Sequence, residues 1–150
     1  MSSGTGFKVL EENWDHRAVV RIVPTIGLEP ITPRPLQVKV RILFVSADPL
    51  DQEGVSWPDV KASIERAFAA RIPDRFELTA IEGASQDALT DAVGQHDFEI
   101  FHFSGHGEVI AGKGHLVLLD RRTNKSARLP ADSLAVMLGG KDIRLAVLSA

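Results

Sequence analysis

The alternation of strand-like and helix-like segments constrains the fold of this chain more than any other feature. Residues 38–45 are rich in β-branched side chains and continuously apolar from Ile42 to Val45, which is typical of a strand covered on both faces. Residues 98–103 are mostly apolar and aromatic and also indicate a buried strand, and residues 76–81 alternate polar and apolar side chains like a half-exposed strand. Between these strands, apolar residues recur at helical spacing from Pro58 to Ile72 and again after Ser85, a plausible N-cap. This order predicts an α/β fold with a mainly parallel sheet and right-handed crossovers.

The remainder of the chain predicts a hairpin, a third helix and a last strand. Residues 115–120 and 127–129 flank a polar turn, which indicates an antiparallel hairpin, and a helix is predicted from Pro130 to the Gly139-Gly140 pair. Residues 143–150 form a fourth apolar strand of the kind that has neighbours on both sides. We therefore expect a sheet that is incomplete on its carboxyl-terminal side, with this strand as an edge open to pairing.

Length, charge and composition exclude several classes of function. The chain has 150 residues, enough for one core, and residues 24–35 carry four of its eight prolines. We therefore predict a short N-terminal strap and proline-rich linker at residues 1–36 and one domain at residues 37–150. A net charge of −3 gives no general attraction to nucleic acid or anionic membranes. No apolar run approaches the roughly 18 residues of a membrane span, and the start lacks the apolar core of a secretory signal, so a cytoplasmic protein is expected.

Residues 98–107, FEIFHFSGHG, contain the strongest functional signal. A buried strand leads into a predicted tight loop, Ser104 to Gly107, in which glycines flank His106. These glycines permit a positive φ or a close approach of the backbone, so the imidazole can stand at the rim of a sheet beside bare amides. Such an arrangement suits a general base next to an oxyanion site, although a structural loop histidine has the same sequence signature.

Other chemistries at the same segment are less well supported. A metal site built from His102 and His106 with His115 or Asp120 is disfavoured, because the four-residue spacing aligns ligands on a helix and not on a strand that ends in a loop. We expect His102 to pack in its strand with a hydrogen-bonding partner. Ser104 is more typical of a turn former than of a nucleophile. We predict no metal and no cofactor, since the loop after the first strand lacks a glycine-rich phosphate-binding motif.

The loop after the first strand carries two carboxylates that are expected to face the same crevice. Asp48 and Asp51 are candidates for binding a basic group of a substrate. The alternative, that an aspartate caps a turn next to Pro49, is favoured by turn preferences alone.

The motif FEIFHFSGHGE, placed after a strand and helix alternation that begins VRILFVSADP, resembles the histidine motif of the CHAT family of caspase-like domains. The terminal LAVLSA is similar to the start of that family's second motif, in which the strand ends Leu-Ser-Ala-Cys and the cysteine is the nucleophile. The resemblance covers most of residues 15–150. It implies a three-layer caspase-like fold with strand order 2-1-3-4.

The resemblance also implies a mechanism and its residues. His106 matches the catalytic histidine and Gly107 the glycine whose amide helps to form the oxyanion hole, and the expected substrate is a protein or peptide. The chain contains no cysteine, so these 150 residues alone are expected to be inactive, as the amino-terminal part of a cysteine endopeptidase. One alternative is a non-catalytic, caspase-like interaction module whose exposed last strand, residues 143–150, pairs with a partner protein. In the peptidase interpretation, the missing carboxyl-terminal half would pair with the same strand. A third possibility is a flavodoxin-like domain for a small ligand.

Overall fold

A computed structural model describes residues 39–149 of the chain. The predicted strap and linker at residues 1–36 lie outside the described residues. The strands and helices are β1 (Val40–Ser46), α1 (Trp57–Arg71), β2 (Phe76–Ile81), α2 (Gln86–Gln95), β3 (Ile100–Ser104), β4 (His106–Ile110), β5 (Lys113–Asp120), β6 (Lys125–Pro130), α3 (Ala131–Gly139) and β7 (Leu145–Ser149).

The main sheet consists of parallel strands in the order β2-β1-β3-β7. This confirms the α/β class and the predicted strand order, with β7 as the fourth strand. Successive strands are added first on one side of β1 and then on the other: β2 lies on one side, and β3 followed by β7 lies on the other. In open α/β sheets such a reversal marks the place where the carboxyl ends of the strands form a crevice.

One face of the main sheet carries the core. Side chains that alternate along β1 and β3 pack there with residues from α2, α3 and the antiparallel strands. The buried members of this cluster are Leu43, Val45, Ala47, Ala84, Leu89, Val93, Phe98, Phe101, Phe103, Leu116, Leu118, Leu129 and Leu134. Helices α2 and α3 therefore share this face, as their mutual contact also shows.

Helix α1 packs on the opposite face of the main sheet. Pro58 lies in its first turn, where the missing amide costs no hydrogen bond, and the ring of Phe68 contacts that of Phe76 on β2. The helix has the predicted amphipathic spacing, yet none of its residues is fully buried. Within residues 39–149, no helix combines the length and the apolar character needed to cross a membrane.

A second, antiparallel sheet in the order β4-β5-β6 comes after β3. The predicted hairpin is confirmed by β5 and β6. Strand β4 is an addition to the prediction, because the histidine and glycine at its start are typical of a loop. Strands β4 and β5 are joined by a two-residue turn in which Ala111 and Gly112 have φ values of 51° and 77°. Positive φ at both central residues defines the type I′ turn that matches the twist of a hairpin.

Candidate active site at the carboxyl ends of the parallel strands

The carboxyl ends of three neighbouring strands are aligned at one rim of the main sheet. Ser46 of β1 is in register with Ser104 of β3, which is in register with Ser149 of β7. Immediately beyond this row, the amide of Gly105 donates a hydrogen bond of 3.0 Å to the carbonyl oxygen of Ser149. The segment that carries His106 and the end of β7 are therefore joined directly.

Gly105 is the only residue between β3 and β4, so the predicted four-residue loop is reduced to a bend at one position. The expectation of a positive φ is not met, since neither Gly105 nor Gly107 has one. Glycine is required at 105 for space. A Cβ atom there would lie 2.6 Å from Cζ of Phe103 and 3.1 Å from the carbonyl oxygen of Ala47. The close approach of the backbone is thus to the protein's own core.

His106 is the first residue of β4 and is half-buried. Its Nε2 atom lies 2.6 Å from the carbonyl oxygen of Glu53, in the loop between β1 and α1. A carbonyl oxygen can only accept, so Nε2 carries the hydrogen and the neutral ring holds its lone pair on Nδ1. This contact leaves Nδ1 as the nitrogen able to take up a proton.

Gly107 presents its amide to the open edge of β4. The two-residue turn makes Ile110 and Lys113 a hydrogen-bonded pair, and in antiparallel strands such pairs alternate with pairs that are not hydrogen-bonded. Glu108 and His106 therefore direct their backbone groups to β5, whereas Gly107, opposite Leu116, directs its N–H outward. An outward amide one residue after the histidine is the kind of donor that an oxyanion site needs.

The two predicted substrate carboxylates both have partners within the protein. Oδ1 of Asp48 accepts a hydrogen bond of 3.4 Å from the amide of Val55, a contact within its own loop. Oδ1 of Asp51 accepts from the amide and the hydroxyl of Ser126 on β6, at 2.8 and 2.9 Å. Desolvation alone would raise the pKa of Asp51, but these bonds from Ser126 hold it below its ordinary value. Sequence reasoning placed Asp51 in the correct loop but gave no sign of Ser126.

Three buried polar atoms at the rim lack a hydrogen-bonding partner among residues 39–149: Oγ of Ser46, Oγ of Ser104 and Nε2 of His102. The partner expected for His102 is absent there. Its ring instead stacks on Phe44, with centroids 5.4 Å apart, and burial lowers its pKa. The Ser104 hydroxyl is fully buried and makes no hydrogen bond to His106, so the two do not form a serine and histidine dyad.

The residues weighed as metal ligands are used otherwise. Nδ1 of His115 donates to the carbonyl oxygen of Lys113 at 3.0 Å, and a carboxylate oxygen of Asp120 accepts from the amide of Arg122 at 2.9 Å. In the part of the chain that the structure describes, no group of three or more histidine, aspartate or glutamate side chains is arranged to hold a metal ion.

Comparison of the sequence with models of protein families gives no match, and comparison with curated proteins gives none either.

Proposed function

We propose that these residues form the histidine-bearing part of a cysteine endopeptidase with a three-layer, caspase-like fold of the CHAT type. The observation that carries the proposal is the hydrogen bond from the Gly105 amide to the Ser149 carbonyl oxygen, 3.0 Å long. It supports a site in which the residue after Ala150, at the continuation of β7, faces the His106 imidazole. The 150 residues contain no cysteine, so the thiol belongs to polypeptide beyond them.

In this proposal, His106 and Gly107 have defined roles in the steps of thiol-dependent peptide cleavage. Nδ1 of His106 takes the thiol proton, and the resulting thiolate attacks the scissile carbonyl carbon. The carbonyl oxygen becomes negatively charged and is stabilised by the outward N–H of Gly107. When the C–N bond breaks, His106 returns the proton to the leaving amine. Water then hydrolyses the thioester, with His106 again serving as the base.

A cysteine appended after Ala150 tests the geometry, because the absence of any other cysteine makes that thiol a clean reporter. A neighbouring imidazolium lowers the pKa of a thiol from about 8.5 to about 7.5 or less. After allowance for the weaker nucleophilicity of the less basic thiolate, iodoacetamide should react about three- to sixfold faster at about pH 6.5. His106→Ala in the same chain should return the rate to that of an ordinary thiol.

The control carries its single cysteine on α3, as Ala135→Cys, an exposed position remote in sequence from the rim. Its alkylation rate should not change when His106 is replaced by alanine. Equal rates for the appended thiol with and without His106 would refute the proposed pairing. If the reactive thiol forms, peptides with arginine or lysine before the scissile bond should be cleaved faster than peptides with aspartate, because Asp48 in the loop after β1 favours a basic group.

A second candidate function is a non-catalytic interaction module, and the exposure of β7 favours it. Within residues 39–149, β7 pairs with β3 alone. Its Leu145 and Leu148 side chains, on opposite faces of the sheet, are 44% and 45% exposed. An apolar edge strand of this kind is a template for pairing with a strand of another polypeptide.

A further inference from the structure

The loop between β1 and α1 is fastened to the antiparallel sheet immediately before the residue that holds His106. Asp51 and Gln52 precede Glu53, and both side chains reach across to β4 or β6. The amide of Leu50 adds a backbone bond of 3.0 Å to the carbonyl oxygen of Asn124. The loop is thus held at three consecutive positions before the carbonyl that contacts the imidazole.

The first fastening is the pair formed by Asp51 and Ser126. A single carboxylate oxygen accepts both the backbone N–H and the hydroxyl of Ser126, at 2.8 and 2.9 Å. Hydrogen bonds to an ionised acceptor are roughly twice as strong as neutral ones, and two on one oxygen also define its position. The two residues are 75 positions apart in the sequence, so this pair joins distant segments.

The second fastening runs through Gln52. Its Nε2 atom donates to Oγ of Ser126 at 3.2 Å and lies 3.4 Å from Oε1 of Glu108. Glu108 is oriented in turn by Arg128 of β6, whose Nε donates to Oε2 at 2.7 Å. Asp51, Gln52, Glu108, Ser126 and Arg128 therefore form one network, which we call the loop latch.

We propose, on the basis of the function proposed above, that the loop latch is a positioning device which holds the Glu53 carbonyl oxygen on Nε2 of His106 and so keeps Nδ1 free for the thiol proton. Asp51 and Gln52 are positioning residues in this view and do not bind substrate. Asp51, Gln52 and Glu53 are consecutive, so a displacement of the Asp51 and Gln52 side chains also displaces the Glu53 carbonyl. A hydrogen bond of 2.6 Å between ring and carbonyl leaves little room for such a shift.

The Nε2-bound proton of His106 gives a direct test by NMR on the 150-residue chain labelled with ¹⁵N at histidine. In the wild type it should appear as a resolved signal in slow exchange with water, assigned by its loss in His106→Ala. Asp51→Ala removes the acceptor of two bonds, and the exchange rate should rise at least about tenfold. Asp51→Asn keeps one oxygen in place, so it should restore protection to within about threefold of the wild type.

His115 is an internal control in the same spectra. Its Nδ1–H bonds to the carbonyl oxygen of Lys113 on the same strand, a contact that includes no residue of the loop latch, although His115 lies opposite Glu108 across the β4-β5 pair. The exchange of that proton should be the same in all variants, and its loss together with that of His106 would report unfolding. In that event Gln52→Ala, which removes only the two longer bonds, gives the decisive comparison and should accelerate exchange at His106 alone.

An unchanged His106 signal in folded Asp51→Ala and Gln52→Ala would overturn the inference. The readout needs neither a thiol nor a substrate, so it separates this inference from the proposed function. Faster proton exchange at His106 in Asp51→Ala, without activation of the appended thiol by His106, would support the positioning role and refute the proposed peptidase function. Activation of the appended thiol that persists in Asp51→Ala would refute the positioning role and remain consistent with the proposed peptidase function.

Discussion

Gly105→Ala tests the statement that the bend before His106 needs glycine for space. The new Cβ would lie 2.6 and 3.0 Å from two ring atoms of Phe103 and 3.1 Å from the carbonyl oxygen of Ala47. The ring atoms belong to the outer end of a side chain, but Phe103 is fully buried in the core cluster, so it has no free space into which to move. The carbonyl belongs to the backbone at the end of β1.

The expected cost follows from these contacts. Inserting a methyl group into a filled core destabilises by about 1–3 kcal/mol, because side chains must leave their rotamers or the backbone must shift. The Gly105 φ is not positive, so alanine meets no backbone strain, and the reduced entropy of the unfolded chain offsets roughly 0.5–1 kcal/mol of the clash. The clash less this offset gives a net loss of about 0–2.5 kcal/mol in the free energy of unfolding. The contact of 2.6 Å with a fully buried ring places the expected value toward the upper end.

Gly94→Ala is the matched control. Gly94 lies within α2, and a Cβ atom there would meet nothing within 4 Å. Alanine is favoured over glycine in a helix by about 0.8–1.0 kcal/mol, so this variant should be more stable than the wild type. The same chemical change at two glycines is therefore predicted to have opposite signs.

Urea unfolding followed by far-ultraviolet circular dichroism measures both variants. Their midpoints should move in opposite directions at an unchanged slope. A Gly105→Ala midpoint equal to or above that of the wild type would show that Phe103 and the end of β1 yield without cost, and would refute the argument from close packing. Because the amide of residue 105 also bonds to Ser149, any backbone shift should slow alkylation of a thiol appended to β7 as well.

Two further predictions concern opposite parts of the main sheet. Glu99 is buried and paired with Arg41, whose Nη2 atom lies 2.7 Å from Oε1 of Glu99. Desolvation would raise the pKa of Glu99, but the hydrogen bonds from Arg41 lower it below its ordinary value of 4.5. A lowered pKa in the folded state means that the pair stabilises the fold above pH 4.5 and that this stability is lost as the pH falls further. In Glu99→Gln, the free energy of unfolding measured with urea should therefore decrease less steeply with falling pH than in the wild type. An equally steep decrease would contradict this. If β7 serves as a docking edge, Leu148→Lys should abolish co-elution with a protein partner. The unfolding midpoint should not fall, since Leu148 is already 45% exposed. A partner that binds this variant equally well would exclude the docking role.

Local sequence patterns were sufficient for the main sheet. The predominance of β-branched, apolar and aromatic residues identified β1 and β3, and the observed strand order agrees with the prediction. Strand β4 was missed because residues 106–110 combine a histidine, a glycine and a charge, and Val109 and Ile110 are exposed. Its conformation depends on pairing with β5, which is a tertiary contact and leaves no alternation of polar and apolar residues to detect.

The candidate site divides in the same way between local and distant signals. His106 was found because a strand followed by glycines around a histidine is a local pattern, whereas its partner is a backbone carbonyl, which every residue possesses and no sequence motif marks. Asp51 was considered as a ligand for a basic group because its loop follows a strand and was expected to face the crevice. Its partner in the structure, Ser126, is 75 positions away, so no window of sequence reveals that contact. A polar side chain in a loop at a strand's carboxyl end has the same sequence signature whether it acts on a substrate or stabilises the site. The two roles are distinguished by whether the side chain contacts the substrate or another part of the protein. Because the contacts of Asp51 lead to Ser126 on β6, comparing Asp51→Asn with Asp51→Ala at His106 distinguishes the two roles.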